Sequence, residues 1–299
     1  MNKTIYALGF FDGVHIGHAA LLHQCQALAR QAGFRCGVVT FTNHPDTLVF
    51  GVTPSLINTS ADRERLLTQH FGMDRVVGLP FDEAMRAMPW QDFLQLLQSR
   101  YDAAGFVCGE DFRFGSQGLG NGQRLAEYCT QAGLSWAVVP EQSIGGIRVS
   151  STYIRSQIAC GDMETAVRFL GHPHILTGRV VHGHQLGRRL GIPTANLTLP
   201  PELVPPRYGV YICRALVDDR AYPAVTNIGT RPTVDGQGVT VEPWILDYDG
   251  DLYDREITLE FYRFLRPEQK FPSLEALTAE IHRNAQQVRD YLKQKELLP

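Results

Sequence analysis

No stretch of this 299-residue chain is apolar for long enough to cross a bilayer. Neither sign of charge is in excess. The 28 Lys and Arg against 31 Asp and Glu leave a formal net charge of −3, which gives no general affinity for nucleic acid or for an anionic membrane. Basic residues near a phosphate must therefore act locally. Cysteine is sparse and scattered, at positions 25, 36, 108, 129, 160 and 213, with no Cys-x-x-Cys pair. A disulfide framework and a zinc site are both disfavoured, and free thiols in a reducing compartment are the economical reading. The opening Met1-Asn2-Lys3-Thr4 has none of the regions of a signal peptide, so the expected location is the cytoplasm. The chain also lacks a Gly-x-x-x-x-Gly-Lys-Ser/Thr segment, which excludes a kinase of the P-loop type. No internal repeat or low-complexity segment is visible.

What the chain does have is concentrated first in residues 9–18, Gly9-Phe10-Phe11-Asp12-Gly13-Val14-His15-Ile16-Gly17-His18. A short apolar run at 4–8 precedes it. Leu21, Leu22, Cys25, Leu28 and Ala29 follow at helical spacing, with Gly33 as a stop. The stretch is therefore a strand-to-helix turn. Such a turn presents backbone N–H groups and the positive helix end to an open face, which suits phosphate. His15 and His18 add donors that an ordinary Gly-rich turn lacks.

From 1 to about 140, apolar runs at 36–41, 75–79, 105–109 and 135–139 alternate with helical stretches such as 90–101 and 123–132. That alternation implies a parallel sheet covered on both faces. Ligands of such sheets bind beyond the carboxyl ends of the strands. Three polar loops are expected on that rim. They are the opening turn, the segment Thr42-Asn43-His44-Pro45, and the segment 109–115 with Asp111, Phe112, Arg113 and Phe114. Ser150 or Ser151 can cap a helix running to about Cys160. With Thr152 and Arg155 one turn in, that segment makes a second anion site, and together with the opening turn a polyphosphate clamp. Asp162 caps a further short helix that ends near Leu170, and His172-Pro173-His174 marks a junction. The domains are accordingly drawn at 1–172 and 173–299.

Beyond the junction the texture changes. Strand-like runs at 177–182, 209–217, 222–227, 240–248 and 256–264 are divided by turns and have no helices between them, which predicts an antiparallel sheet or small barrel. A closing helix over 273–294 carries an apolar stripe of Leu274, Leu277, Ile281, Val288 and Leu292, expected to pack on the barrel. Within this half, residues 187–197 combine Gly187, Gly191, Pro193, Thr194 and Asn196. In extended chain Thr194 and Asn196 share a face, and a hydroxyl with an amide oxygen can ligate Mg²⁺. A plain Pro-Thr turn entering a strand would look the same locally. Glu242 lies in an apolar strand. It is either edge-facing or a general base, and Pro243 behind it points to an edge strand or bulge.

These motifs, in this order and over essentially the whole chain, resemble the prokaryotic bifunctional riboflavin kinase/FAD synthetase family. Residues 9–18, 109–115 and 150–155 resemble its adenylyltransferase module. Residues 178–183, 187–197, 226–233, Glu242 and 251–253 resemble its riboflavin kinase module. The resemblance implies a Rossmann-like nucleotidyltransferase domain followed by a six-stranded antiparallel barrel with a closing helix. It also implies two reactions: ATP-dependent phosphorylation of riboflavin to FMN, then adenylylation of FMN by ATP to FAD with release of pyrophosphate.

In that reading Gly9, Phe10, Phe11, Asp12, His15, Gly17, His18, Ser150, Ser151, Thr152 and Arg155 contact ATP, with His15 and His18 as the catalytic pair. His44 and residues 111–114 lie near flavin or nucleotide. Gly187, Gly191, Pro193, Thr194 and Asn196 hold ATP and Mg²⁺ in the kinase site. Asn227, Arg231 and Thr233 line its flavin or nucleotide cleft, and Glu242 is the base. The partners are the small-molecule substrates, with no nucleic acid and no membrane, and the chain is expected to be a monomer or weak homo-oligomer. Asn43, Pro243, Trp244, Asp254 and Asn284 depart from the family's usual residues. Two other readings are an adenylyltransferase acting on a different phosphorylated acceptor and a non-catalytic flavin-binding regulator.

Overall fold

The computed structural model describes residues 3–182, 191–218, 220–233 and 236–297. The chain divides into two compact units, Met1–Ser151 and Thr152–Pro299.

The first unit is built on a five-stranded parallel sheet: β1 (Thr4–Leu8), β2 (Arg35–Phe41), β3 (Arg75–Leu79), β4 (Ala103–Gly109) and β5 (Ser135–Val139), in spatial order β3-β2-β1-β4-β5. β1 is buried along its whole length, as a strand covered on both faces must be. Tyr6 and Leu8 join Phe93, Leu94, Leu97, Phe106 and Leu125 in one core cluster, and the alternate residues Ile5 and Ala7 are equally buried. The helix α1 (Ile16–Ala32) buries Leu21, Leu22, Cys25 and Ala29, and Gly33 ends it in the left-handed region at φ 65°. Between β2 and β3 lie short helices that the apolar pattern does not announce, among them α2 (Pro45–Val49) and α3 (Ser60–Arg65), the latter running on into a π-helical turn at Leu66–His70. Between β3 and β5 come α4 (Glu83–Ala87), α5 (Trp90–Tyr101) and α6 (Gly122–Ala132). A hairpin of β6 (Ser143–Ile144) and β7 (Ile147–Arg148) completes the unit.

The strand order matters for function. The chain winds from β1 outwards through β2 to β3, then returns to place β4 and β5 on the other side of β1. The direction of winding therefore reverses between β1 and β4, and a crevice opens beyond their carboxyl ends.

In the second unit, α7 (Ser151–Cys160), which begins at the division, and α8 (Met163–Leu170), capped by Asp162, precede the sheet. Its six antiparallel strands are β8 (His174–Arg179), β9 (Leu197–Thr198), β10 (Gly209–Val217), β11 (Arg220–Thr233), β12 (Gly236–Ile245) and β13 (Glu256–Arg266), in order β8-β13-β10-β11-β12-β9. The Val181 N–H donates to the Asn196 carbonyl at 2.9 Å, just beyond the ends of β8 and β9, so the sheet curls into a near-barrel. The helix α9 (Leu274–Gln294) closes it, with Ala285, Val288 and Leu292 packed on Val210, Ile212, Val225 and Tyr262. The domain boundary drawn at 172 from the sequence thus differs from the compact division at 151. The reason is that α8 packs on β8 and β13.

The stripe expected on α9 is only partly core. Leu274 is exposed, and Asn284, a polar residue outside the stripe, is 2% exposed. It accepts from Arg266 Nε at 3.0 Å and donates to Glu280 Oε1, also at 3.0 Å. All six cysteines are free, and only Cys160 is exposed. Among the described residues, no helix is long and apolar enough to cross a membrane.

Candidate functional site

The crevice of the first unit is a cavity of about 350 Å³, lined from three strand ends: 8–10 after β1, 109 and 111–113 after β4, and 139–142 after β5. His15, Gly17, His18, Ser150 and Ser151 complete it. Loop 42–45 follows β2, on the side of β1 away from β4. His44 accordingly does not line the cavity. It caps α2 by accepting from the Asp46 N–H at 3.2 Å, and it packs edge-on against Phe10, which does line it, with ring centroids 4.5 Å apart.

The opening turn is held from beneath. Phe11 at φ 60° and Val14 at φ 39° are non-glycine residues in the left-handed region, a conformation that costs roughly 1–3 kcal/mol at each position. Phe11 is fully buried, and Asp12 is 3% exposed. Both sit under the cavity rather than in its wall. The Asp12 carboxylate accepts the Ile57 N–H at 2.8 Å, and its carbonyl accepts the Ser151 hydroxyl at 2.9 Å.

His15 is the N-cap of α1. Its Nδ1 accepts the His18 N–H at 3.3 Å, which leaves Nε2 as the ring's donor. The His15 and His18 rings stack with centroids 3.7 Å apart. A Cβ on Gly17 would stand 3.1 Å from the His15 ring, so glycine there lets the imidazole lie against the first turn. Burial first, then the charges of His15 and Arg63, hold the His18 pKa well below the ordinary histidine value. Its buried Nδ1 has no hydrogen-bond partner among the described residues, so a cationic ring would bury an unsatisfied donor. His18 is therefore held as a neutral imidazole, and beside it His15 turns its Nε2 donor to the anion.

Two residues of this cavity escaped the sequence reading. Arg148 on β7 pairs with Asp111 and with Glu141, each at 2.5 Å. Arg113 and Phe112 line the cavity as expected, whereas Phe114 is buried in the core cluster with Phe93. Thr152 stands in the first turn of α7 and Arg155 one turn in, both in the second unit, with Arg155 donating to Thr152 Oγ1 at 3.2 Å.

The second unit holds two cavities with a common wall residue. One, of about 480 Å³, is lined by Pro193, Thr194, Asn196, Asp249, Asp251 and Tyr253, among others. The other, of about 310 Å³, is lined by Thr194, Asn227, Glu242, Trp244, Arg266 and Phe271, with Leu277, Ile281 and Asn284 from α9. Leu277 and Ile281 of the predicted stripe thus face a cleft, not the core.

Glu242 is half-buried, opposite Asn227 in the β11–β12 register, and accepts from Thr240 Oγ1 at 3.2 Å. Pro243 fits because its carbonyl points outwards, accepting the Ala195 N–H at 2.9 Å. In an antiparallel strand N–H and C=O of one residue point the same way, so the missing donor costs no bond to β11. β9 pairs with β12 at Thr240 and Val241, so Pro243 lies past the paired stretch, where the Ala195 N–H reaches its carbonyl. The same bond fastens the Thr194–Asn196 segment to the strand that carries Glu242. Gly191 lies in the left-handed region at φ 70°. Gly187 lies outside the described residues, as do the side chains of Arg231 and Thr233.

The donors around the larger cavity fit Mg²⁺: a hydroxyl, an amide oxygen and carboxylates, all oxygen. No cluster of three His, Cys, Asp or Glu that could hold a metal occurs among the described residues.

A switch-point crevice with a helix start and paired imidazoles, joined in one chain to a near-barrel with an oxygen-lined cavity beside a half-buried carboxylate, defines a two-unit phosphate-handling transferase. The family models described as FAD synthetase and riboflavin kinase match residues 1–153 and 170–292. The chain is 36% identical over 280 residues to the bifunctional riboflavin kinase/FMN adenylyltransferase of Pseudomonas fluorescens, covering 93% of this chain and 89% of that one. It is 35% identical over 290 residues to that of Escherichia coli (strain K12), covering 96% and 92%. A crystal structure titled as a macrolide-efflux protein from Streptococcus pneumoniae is 28% identical with a TM-score of 0.84, covering 96% of this chain and 94% of that one. The chain belongs to the bifunctional riboflavin kinase/FMN adenylyltransferase family.

Proposed function

We propose that the two units catalyse successive reactions through the residues described above. The chain phosphorylates riboflavin to FMN and adenylylates FMN to FAD, using one ATP in each step. In the second unit, riboflavin occupies the cavity lined by Glu242 and Trp244, and ATP the cavity lined by Asn196 and Asp251. Glu242 takes the proton of the ribityl hydroxyl as its oxygen bonds to the γ-phosphorus, and ADP leaves. Thr194 and Asn196 would hold Mg²⁺, which when bound neutralises charge on the phosphate oxygens. The observation that carries this reading is Thr194 in the wall of both cavities, because phosphoryl transfer needs donor and acceptor to meet at one point.

In the first unit, an FMN phosphate oxygen attacks the α-phosphorus of ATP and pyrophosphate leaves. The acceptor is already an anion, so no general base is required. Catalysis rests on the start of α1 and on the donors of His15 and His18, with His18 at the reacting phosphate. Ser150 and Ser151 hold the leaving pyrophosphate, and residues 111–113 border the flavin. The enzyme works in the cytoplasm as a monomer or weak homo-oligomer. Incubation with riboflavin, ATP and Mg²⁺ followed by separation of the flavins tests the reading. FAD accumulates if it holds, and recovery of riboflavin alone would overturn it.

A further inference from the structure

Beneath the opening turn lies a charged group outside the cavities described above. Arg63, on the short helix α3, is 3% exposed. Its Nη1 donates to the Phe10 carbonyl at 3.1 Å and its Nη2 to the Phe41 carbonyl at 2.9 Å. The guanidinium also lies over the Phe10 ring, 4.4 Å from its centroid. The Phe10 carbonyl takes a second donor, the Thr40 hydroxyl at 2.8 Å. Desolvation lowers the Arg63 pKa, and the neighbouring Asp12 carboxylate opposes that effect. Asp12 is in turn held by the Ile57 N–H, three residues before α3 begins.

A buried guanidinium is costly wherever an apolar side chain could fill the same volume. Here it ties one carbonyl just beyond β1, next to the strained Phe11, to one at the end of β2. Phe10 is itself a wall of the crevice. The next residues carry the turn into His15, whose ring caps α1.

We propose that Arg63, with Thr40, is a positioning residue for adenylyl transfer: it clamps the Phe10 carbonyl and ring from behind and so sets where the turn's N–H groups and the His15–His18 pair meet the ATP phosphates. The inference rests on the adenylyltransferase reading of this crevice. Arg63 touches no substrate. It acts through Phe10, and its bidentate fork ties the Phe10 carbonyl to that of Phe41.

The test uses the full-length chain. FAD formation from FMN is measured across ATP and FMN concentrations, and riboflavin phosphorylation is measured in the same preparations. Misplacing reacting groups by a fraction of the turn's width predicts that Arg63→Gln lowers kcat/KM for ATP about 100-fold, leaving the KM for FMN and the riboflavin reaction within about twofold of the unaltered chain. Arg63→Lys, which keeps the charge but reaches one carbonyl, recovers part of the loss. Thr40→Val loses about tenfold, and Thr40→Val/Arg63→Gln loses little more than Arg63→Gln alone, because both groups hold the same carbonyl. An unaltered kcat/KM for ATP in folded Arg63→Gln would overturn the proposal, as would losses that multiply in the double variant. If Arg63→Gln does not fold, Arg63→Lys and Thr40→Val decide: ordinary kcat/KM for ATP in both rejects it. Absence of FAD from the unaltered chain rejects the functional reading instead.

Discussion

In the first unit the proposed phosphate donors are backbone and ring nitrogens at the start of one helix, held by a turn with two residues in strained conformations. In the second unit they are side-chain oxygens presented by extended segments, with Thr194 and Glu242 fastened together through the Ala195–Pro243 bond. On the proposed roles, the difference follows from the acceptor each unit serves. A hydroxyl must lose a proton, so the second unit needs a carboxylate at the point of attack. A phosphate arrives already ionised, so the first unit needs only donors for the charge that is displaced. One chain thus meets ATP twice with unlike equipment.

The sharpest way to break that comparison is at the carboxylate. Glu242→Gln should lower FMN formation about 10²–10⁴-fold while leaving FAD formation from added FMN unchanged, followed by chromatography of the flavins. Loss of FAD formation as well would mean that the two sites share the group. Next in size, His18→Ala removes a donor from the helix start. It should lower FAD formation about 10²–10³-fold, seen as pyrophosphate release, with riboflavin phosphorylation intact. Asn196→Ala should raise the Mg²⁺ concentration needed for half-maximal FMN formation roughly tenfold without a matching change in the adenylyl step.

The smallest effect on chemistry, none on either rate, is expected at His174. It is 3% exposed, packs against Phe261, and its Nδ1 has no hydrogen-bond partner among the described residues. Burial first, then His172, pushes its pKa from 6.5 down to about 4. The unfolded chain therefore binds a proton between these values that the folded chain refuses. Stability of the second unit is full above about pH 6.5 and falls, by up to about 3 kcal/mol, as the pH drops towards 4. Denaturant titrations from pH 4 to 7 should show that slope in the unaltered chain and a flatter one in His174→Gln.

The local features were legible in the sequence because their causes are local. Glycine spacing and two histidines three apart announce a strand-to-helix turn, and Asp162 and Gly33 cap helices where they stand. Pro243 marks a place past the paired end of β9, because proline lacks a donor wherever it is placed. Features that depend on strand order were not legible. Nothing near His44 says that β2 lies on the far side of β1 from β4: the sequence puts the loop after β2 on the same rim as the other two, and strand order decides where on that rim the crevice opens. Arg148, Glu141 and Arg63 gain their meaning from partners brought to them only by the sheet. The stripe on α9 shows the limit of periodicity: it finds the apolar face, and it does not distinguish Val288 and Leu292 in the core from Leu277 and Ile281 at a cleft.

The central claim is that two separate sites on one chain act in sequence, and complementation tests it most directly. Glu242→Gln and His18→Ala are each supplied with riboflavin, ATP and Mg²⁺, alone and mixed, and the flavins are separated. The account predicts unchanged riboflavin from the first, FMN from the second, and FAD from the mixture. A folded variant that loses both reactions, or a mixture that stops at FMN, would contradict it.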